Sequence, residues 1–428
     1  MSTRGHSIEI DATECIGCVD CCKACPTKAI RVKDSLAVVI PELCIDCGAC
    51  IRACRYHAAR ALTTPTSDLK RFKHTVALPS LTLYAQFGKD VLPAQVLQGL
   101  TEIGFDSHYD LSWMCEMLGG ATDAYLAECE GPWPKISVTC PAIVRLVQIR
   151  YPDMIPNLLP IESARELAAK LLRKKLGMRL GLAEDEIGVF FITPCSAIVN
   201  SIVAPVGLEQ SYLDGALSIS EVYGALRQAI KKPGKESPAE EEVSPSGLLW
   251  AMAGGEIAGM RNRNTMTVRG VRDVEYVFDH IEAGKFQSVD FIEAYICPDG
   301  CVSGQLVVEG RYAAQRNIQQ LCNRLGTQSH VKEEKVRSML REHFFDLEGQ
   351  VKARSIRPIA RDLRAAIARK REEQAVLDRL PKKDCAACGA PTCATLAEDV
   401  MRGNASVEDC VFVKLATLEQ KLEQKKEG

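Results

Sequence analysis

Nine of the first fifty-four residues are cysteines, and eight of them fall into two matching ladders. The first is CIGCVDCCKACP, with Cys15, Cys18, Cys21 and Cys25. The second is CIDCGACIRAC, with Cys44, Cys47, Cys50 and Cys54. The x2 spacing turns successive side chains of one tight loop inward, so each ladder offers three thiolates to one point and a fourth after a gap of three. Such sets suit an iron–sulfur cubane, which takes a thiolate on each of four corners. A disulfide framework is a poor alternative, because nothing marks the chain as secreted. Zinc is weaker still, since structural sites usually use two separated pairs. The chemistry these residues point to is the movement or sensing of electrons.

Three further cysteines stand at the ends of expected strands, and a fourth follows the last of them. KISVTC ends at Cys140, IGVFFITPC at Cys195 and VDFIEAYIC at Cys297, with Cys301 four residues on. In open α/β sheets the carboxyl ends of strands are where ligands bind. One such cysteine alone reads as a buried thiol; four in a cluster-binding chain read as ligands. A last set, DCAACGAPTCATLAEDVMRGNASVEDC, holds Cys385, Cys388, Cys393 and Cys410, with zinc as the minority alternative. Cys22, Cys115, Cys129 and Cys322 read as packing or surface thiols, with Cys22 placed to contact a cluster. None of the seven histidines has metal-site spacing.

The elements that must position these residues alternate. TTPTSDLKRFKH reads as a linker. VALPS is a strand, LPAQVLQGLTEIG a helix, and Pro141 opens the helix AIVRLVQIRYP, a position where proline is pre-organised. ESARELAAKLLRKKLG is a helix with Gly177 at its end. This alternation predicts parallel sheet with helices on its faces. The charged, Pro- and Ser-rich stretch 231–246 reads as a solvated loop, residues 333–380 as charged helix, and FVKLATLEQKLEQKKEG as a final helix.

The ladder spacing is that of bacterial ferredoxins with two [4Fe–4S] clusters. That resemblance implies crossed sets: Cys15, Cys18, Cys21 and Cys54 for one cluster, and Cys44, Cys47, Cys50 and Cys25 for the other. The middle region resembles the catalytic domain of [FeFe] hydrogenases and their paralogues. SVTCPAIVRLVQIRYPDMIPNLL is similar to the first signature loop, ITPCSAIVNS to the second and FIEAYICPDGCVSG to the third. Pro79 and Ser80, and the pair Gly254 and Gly255, stand where the family has such residues. The resemblance implies that Cys140, Cys195, Cys297 and Cys301 hold a [4Fe–4S] subcluster, with Cys301 bridging to a two-iron site bearing CO and cyanide. Pro79 and Ser80 would contact that cofactor. The C-terminal set resembles the small four-iron domain of electron-transfer and carbon-monoxide dehydrogenase-type complexes.

The departures from the family pattern are as informative. Thr139 stands where the proton-relay cysteine is expected, and Ile198 where a lysine binds a cyanide. Losing that lysine removes a charge-assisted hydrogen bond to an anionic ligand. Thr193 and Tyr295 replace methionines, Ser201 a glutamate and Gln305 a glycine. The proton-path carboxylates fall near Gly120 and Asp123, and Leu159 replaces a serine. The four-iron site reads as kept and the proton route as broken.

The chain has 428 residues, a net charge of −2 and 46% hydrophobic residues, enough for several domains and a full core. The near-zero charge gives no electrostatic case for nucleic acid or an anionic membrane. No signal peptide or membrane-spanning apolar run is present, so a cytoplasmic protein of anaerobic life is expected, without membrane insertion. The expected fold is an α/β hydrogenase-like core with parallel sheets, flanked by an N-terminal ferredoxin-like α+β module and a C-terminal, mainly helical iron–sulfur domain. The boundaries are 1–64 for the ferredoxin-like domain, 75–325 for the hydrogenase-like domain, 333–380 for a helical connector and 381–428 for the last domain. Four [4Fe–4S] clusters are expected, with the two-iron subsite left open. The expected function is electron transfer or redox and hydrogen sensing without efficient hydrogen turnover. A slow or sensory ferredoxin-type [FeFe] hydrogenase and an iron–sulfur assembly factor are the alternatives. A redox or signalling protein is the expected partner, and the terminal helix offers a homodimer contact.

Overall fold

The computed structural model describes residues 5–231, 243–260, 263–326, 329, 331–354 and 362–427. The chain divides into two compact units. The larger comprises Met1–Ser7, Ile45–Cys47 and Ala61–Ala353; the smaller comprises Ile8–Cys44, Gly48–Arg60 and Arg354–Gly428. Most of the stretch 231–246, expected to be a solvated loop, lies outside the described residues.

In the smaller unit, β1 (Ile8–Ile10) precedes the helix α1 (Asp20–Ala24), and the hairpin β2 (Ile30–Lys33) and β3 (Leu36–Val39) is antiparallel. Its turn residues Asp34 and Ser35 both have positive φ, 48° and 61°, as a two-residue hairpin turn of the primed kind demands. Helix α2 (Ala49–Ala53) and β4 (Ala59–Ala61) follow, with β4 pairing β1. Ile8, Ala29, Ile30 and Ala37 form a small core with Cys21, Cys22, Cys44 and Cys50.

The larger unit holds two parallel sheets. Its elements begin with β5 (His74–Pro79), α3 (Pro93–Glu102), β6 (Ser107–His108), α4 (Ser112–Glu128), β7 (Lys135–Ile136), α5 (Pro141–Arg150) and α6 (Ala164–Leu180). They continue with β8 (Ile187–Thr193), α7 (Ser196–Val203), β9 (Gly215–Ser218), α8 (Ile219–Lys231), α9 (Pro245–Leu248), β10 (Thr265–Arg269) and α10 (Val271–Glu282). Last come β11 (Phe291–Tyr295), β12 (Pro298–Cys301), α11 (Arg311–Leu325) and α12 (Glu333–Arg341). One sheet runs β6-β5-β8-β9 and the other β10-β11-β7, all parallel. Every residue of β8, IGVFFIT, is buried, as a central parallel strand covered on both faces must be. A large core surrounds the first sheet. A second core joins α5 and α10 to the other sheet.

The smaller unit resumes with α13 (Leu363–Asp378), α14 (Cys393–Met401) and α15 (Val411–Glu427), around a core of Leu380, Ala390, Leu396, Ala397 and Val407. The connector is thus two helices, with residues 342–354 non-helical between them. Helix α6 does not stop at Gly177 but runs one turn further. Gly181, at φ +65° in the left-handed region, ends it, and its N–H donates to the Gly177 carbonyl. Among the described residues no helix is long and apolar enough to cross a membrane.

Candidate metal centres

The central four cysteines are carried by both sheets of the larger unit. Strand β7 is shorter than KISVTC suggests: Ser137 N still donates to the Ile292 carbonyl at 2.9 Å, but the pairing ends there, and the Ser137 hydroxyl donates to Glu256 Oε2 at 2.6 Å. Cys140 then caps α5, with Pro141 at the first helical position. Cys195 caps α7 two residues beyond β8. Cys297 follows β11 by two, and Cys301 ends β12. The third loop is pressed onto the second: a Cβ on Gly304 would stand 2.3 Å from the Pro194 carbonyl oxygen. The thiols face one another. Burial pushes Cys195 up to about 12, with Cys297 and Cys140 adding to the rise. Burial also pushes Cys301 well above the ordinary thiol range, followed by the repulsion of Cys195, Cys140 and Cys297. Cys140, Cys195 and Cys301, whose thiols resist ionising, become stable thiolates once a metal centre takes up their charge.

Two further quartets lie within the smaller unit. Cys15, Cys18, Cys21 and Cys54 line one cavity with Ile16, Gly17 and Tyr56. Burial and then Cys15, Cys18 and Cys54 push Cys21 up to about 11, so a thiol of the second ladder faces three of the first. Cys385, Cys388, Cys393 and Cys410 line another cavity, with Pro381, Leu396 and Phe412. Of the remaining ladder thiols, Cys25, Cys44 and Cys50 belong to the small core. Cys47 lies in the segment counted with the larger unit and packs on its second core. Among the described residues no three His, Cys, Asp or Glu side chains converge on a single-ion site. Soft thiolates in sets of four fit iron–sulfur clusters, whose corners spread the ligands wider than one zinc does.

Sequence reasoning missed Asp46, between Cys44 and Cys47. Its carboxylate accepts from Ser7 N at 2.7 Å, from Arg145 Nη1 at 3.2 Å and from Asn200 Nδ2. Its carbonyl accepts from the hydroxyl of Ser196, next to Cys195, at 2.7 Å. Both ionic side chains are buried. The one signal was Arg145, a lone charge in the apolar turn AIVRLV. Glu256 was missed as well, a carboxyl in the small and apolar stretch WAMAGGEIAG. It is buried with Glu293, whose carboxylate accepts from the N–H groups of Gly254 at 2.9 Å and Glu256 at 3.2 Å. Burial and then Glu293 push Glu256 up to about 8, against hydrogen bonds from Ser137 and Thr139.

The other expected positions surround this centre. Pro79 ends β5 opposite Ile192, and Ser80 N donates to the Ile192 carbonyl at 3.0 Å, which puts both beside the start of the Cys195 loop. Ile198 and Leu159 are buried in the first core and offer no polar atom. Tyr295 is fully buried, and its phenol is pushed well up by burial, then by Glu293, Cys301 and Glu256. A ring of that size therefore sits beside Cys301. Gln305 Nε2 donates to Ser196 Oγ at 2.6 Å. Asp123 is held by Arg263 at 2.9 Å. Cys115 is a core thiol, and Cys322 donates to the Pro245 carbonyl at 3.5 Å.

The family model of the iron only hydrogenase large subunit, C-terminal domain, matches residues 73–259 and 225–305. The chain belongs to this family. Outside that region of the iron-only hydrogenase family member, a 4Fe–4S dicluster domain matches residues 7–55, and a domain described as a putative Fe–S cluster matches 380–412. Iron hydrogenase 1 of Clostridium pasteurianum is 23% identical over 379 residues, 71% of this chain and 65% of that one. The chain thus spans just under two thirds of that relative's length. The periplasmic [Fe] hydrogenase large subunit of Nitratidesulfovibrio vulgaris is 23% identical over 70% of this chain and 86% of its own length. An [FeFe]-hydrogenase structure from Chlamydomonas reinhardtii superposes with a TM-score of 0.50 at 14% identity, covering 68% of this chain and 97% of that one. An apo form of a variant of that hydrogenase gives a TM-score of 0.51 at 15% identity over the same shares. The fold of the larger unit is therefore that of [FeFe] hydrogenases.

Proposed function

We propose that this chain is a four-cluster electron-transfer or redox-sensing member of the iron-only hydrogenase family that does not turn over hydrogen efficiently. Each cluster would be a [4Fe–4S] centre, held by Cys15, Cys18, Cys21 and Cys54; by Cys25, Cys44, Cys47 and Cys50; by Cys140, Cys195, Cys297 and Cys301; and by Cys385, Cys388, Cys393 and Cys410. Such clusters supply one-electron chemistry at potentials that surrounding hydrogen bonds and burial adjust. The chain's own part is to keep these thiols dry, gathered and fixed in direction.

The observation that carries the reading is the contrast around Cys301. The four central thiols face one another, yet the surroundings do not fit a two-iron group bearing cyanide. Ile198 presents an apolar side chain inside the core, and the Tyr295 ring sits beside Cys301. Thr139 engages Glu256 and is a far weaker acid than a thiol. A positioned general acid or base is typically worth about 10²–10⁴-fold in rate, so its loss alone would leave little turnover. A slow or sensory hydrogenase is the second reading, favoured by the retained Cys301. A redox or signalling protein partner is part of the proposal. The exposed Leu415, Leu418 and Leu422 of α15 support a docking face there, including a homodimer contact.

Infrared spectroscopy of protein purified anaerobically after co-expression with hydrogenase maturation proteins tests this. The expected result is iron–sulfur protein without CO or cyanide bands and with negligible hydrogen evolution. Bands from both ligands together with family-typical turnover would overturn the proposal in favour of the hydrogenase reading.

A further inference from the structure

Cys22 belongs to neither ladder quartet, yet it is completely buried. Its Sγ lies 3.3 Å from the Ile30 carbonyl oxygen and 3.5 Å from that of Gly389. In sequence Cys22 adjoins Cys21 of one quartet, and Gly389 adjoins Cys388 of another. A single thiol-to-carbonyl contact therefore joins the loops that present two different cysteine sets, both within the smaller unit.

Three more contacts hold that junction closed. Val32 N donates to the same Gly389 carbonyl at 2.9 Å. Gly389 has φ +82°, and a Cβ there would stand 1.8 Å from the Val32 carbonyl oxygen, so no other residue allows the approach. Arg31 grips Asp399 of α14 with two guanidinium nitrogens, Nη2 to Oδ1 at 3.1 Å, and the pair is 14% and 10% exposed. A fork of this kind fixes direction as well as distance. Lys33 donates to the Asn404 carbonyl. Successive residues of β2 thus engage the C-terminal cysteine domain: Arg31 the helix that begins at Cys393, Val32 the Cys388 loop, and Lys33 the turn after that helix. Surface docking would not need a zero-exposure thiol, a glycine-only approach and a largely desolvated ion pair at one seam.

We propose that Cys22 and Gly389 form a built-in electron bridge between the Cys15, Cys18, Cys21 and Cys54 quartet and the Cys385, Cys388, Cys393 and Cys410 quartet. The C-terminal domain then exchanges electrons with the ferredoxin-like module through this seam. The proposal rests on the reading that both quartets hold clusters. One electron leaves the centre at one quartet, which is oxidised by one, and arrives at the other, which is reduced by one. No bond breaks and no proton moves. The bridge runs from the Cys21 main chain to the Cys22 side chain, across the contact to the Gly389 carbonyl, and along the main chain to Cys388. Its geometry is held by Arg31–Asp399 and the Val32 rung.

Electron paramagnetic resonance of the dithionite-reduced full-length holoprotein tests the bridge. The unmodified protein is expected to show magnetic interaction between the C-terminal centre and a ferredoxin-type centre. Asp399→Asn, which removes the charged grip, should lose that interaction with iron content unchanged. Cys22→Ala should keep iron and magnetic interaction, because the spacing is preserved, while freeze-quenched reduction loses its fast equilibration between the two centres. Full iron with no interaction in the unmodified protein, or unaltered equilibration in Cys22→Ala, would overturn the bridge and leave the four-cluster reading standing. Absence of iron at the C-terminal quartet, with zinc in its place, would overturn both.

Discussion

Replacing Glu256 by glutamine tests whether the larger unit stores a proton beside its central cysteines. Burial, then the neighbouring Glu293, raises the Glu256 carboxyl from 4.5 to about 8. A carboxyl whose pKa is higher folded than unfolded binds its proton more tightly in the folded protein. Its contribution to stability is therefore whole below about pH 4.5, drains away as the pH climbs to about 8, and changes no further beyond that. At about 1.4 kcal/mol per unit, the full rise corresponds to roughly 5 kcal/mol. Glu293 beside it is also raised by burial, so that figure belongs to the pair and not to one residue. Glutamine keeps an acceptor for the Ser137 hydroxyl and has no proton to lose. All three tryptophans, Trp113, Trp133 and Trp250, lie in the larger unit, so their fluorescence follows its unfolding in urea. Between about pH 5.5 and about pH 8.5 the unmodified protein should lose roughly 1–2 M more of its urea midpoint than Glu256→Gln does. Parallel pH dependences in the two proteins would refute the argument that this carboxyl is held protonated.

Two further outcomes are expected. Anaerobically reconstituted protein should carry about sixteen irons and Cys195→Ser about twelve, with the ferredoxin-type spectra intact in both; an unchanged iron count would make Cys195 a core thiol only. Asp46→Ala deprives the buried Arg145 of its carboxylate, a change that costs about 3–5 kcal/mol when one partner of a buried pair is removed. Chemical denaturation should show that loss, and Asp46→Leu combined with Arg145→Met should recover most of it; a loss below about 1 kcal/mol would mean that Asp46 is not the counter-charge on which buried Arg145 depends.

The cysteine sets were legible because ligand chemistry leaves local traces. Thiolates spaced by two residues face one point of a tight loop, and strand ends mark where a parallel sheet accepts a ligand. The strands themselves were legible from β8, whose unbroken apolar run has no other use than burial on both faces. Helix ends were less so. Gly177 and Gly181 are equally good stop signals in sequence, and only Gly181 adopts the left-handed conformation. Strand β7 was overread because its pairing with β11 ends at the Ser137 N–H, after which the chain turns toward Cys140 at the start of α5.

The sequence by itself determined the cysteine-rich motifs, the parallel α/β core and the family resemblance, since each depends on residue type at short spacing. Tertiary structure alone decided which distant side chains neutralise one another: Asp46 with Arg145, Glu256 beside Glu293, Arg31 on Asp399. Nothing in either partner's neighbourhood names the other. A buried charge is tolerated only where folding supplies a counter-charge or a proton, and that condition is met in space, by residues far apart along the chain. The burial of Cys22 against Gly389 is of the same kind, because a close backbone approach is written in the sequence as nothing more than a glycine.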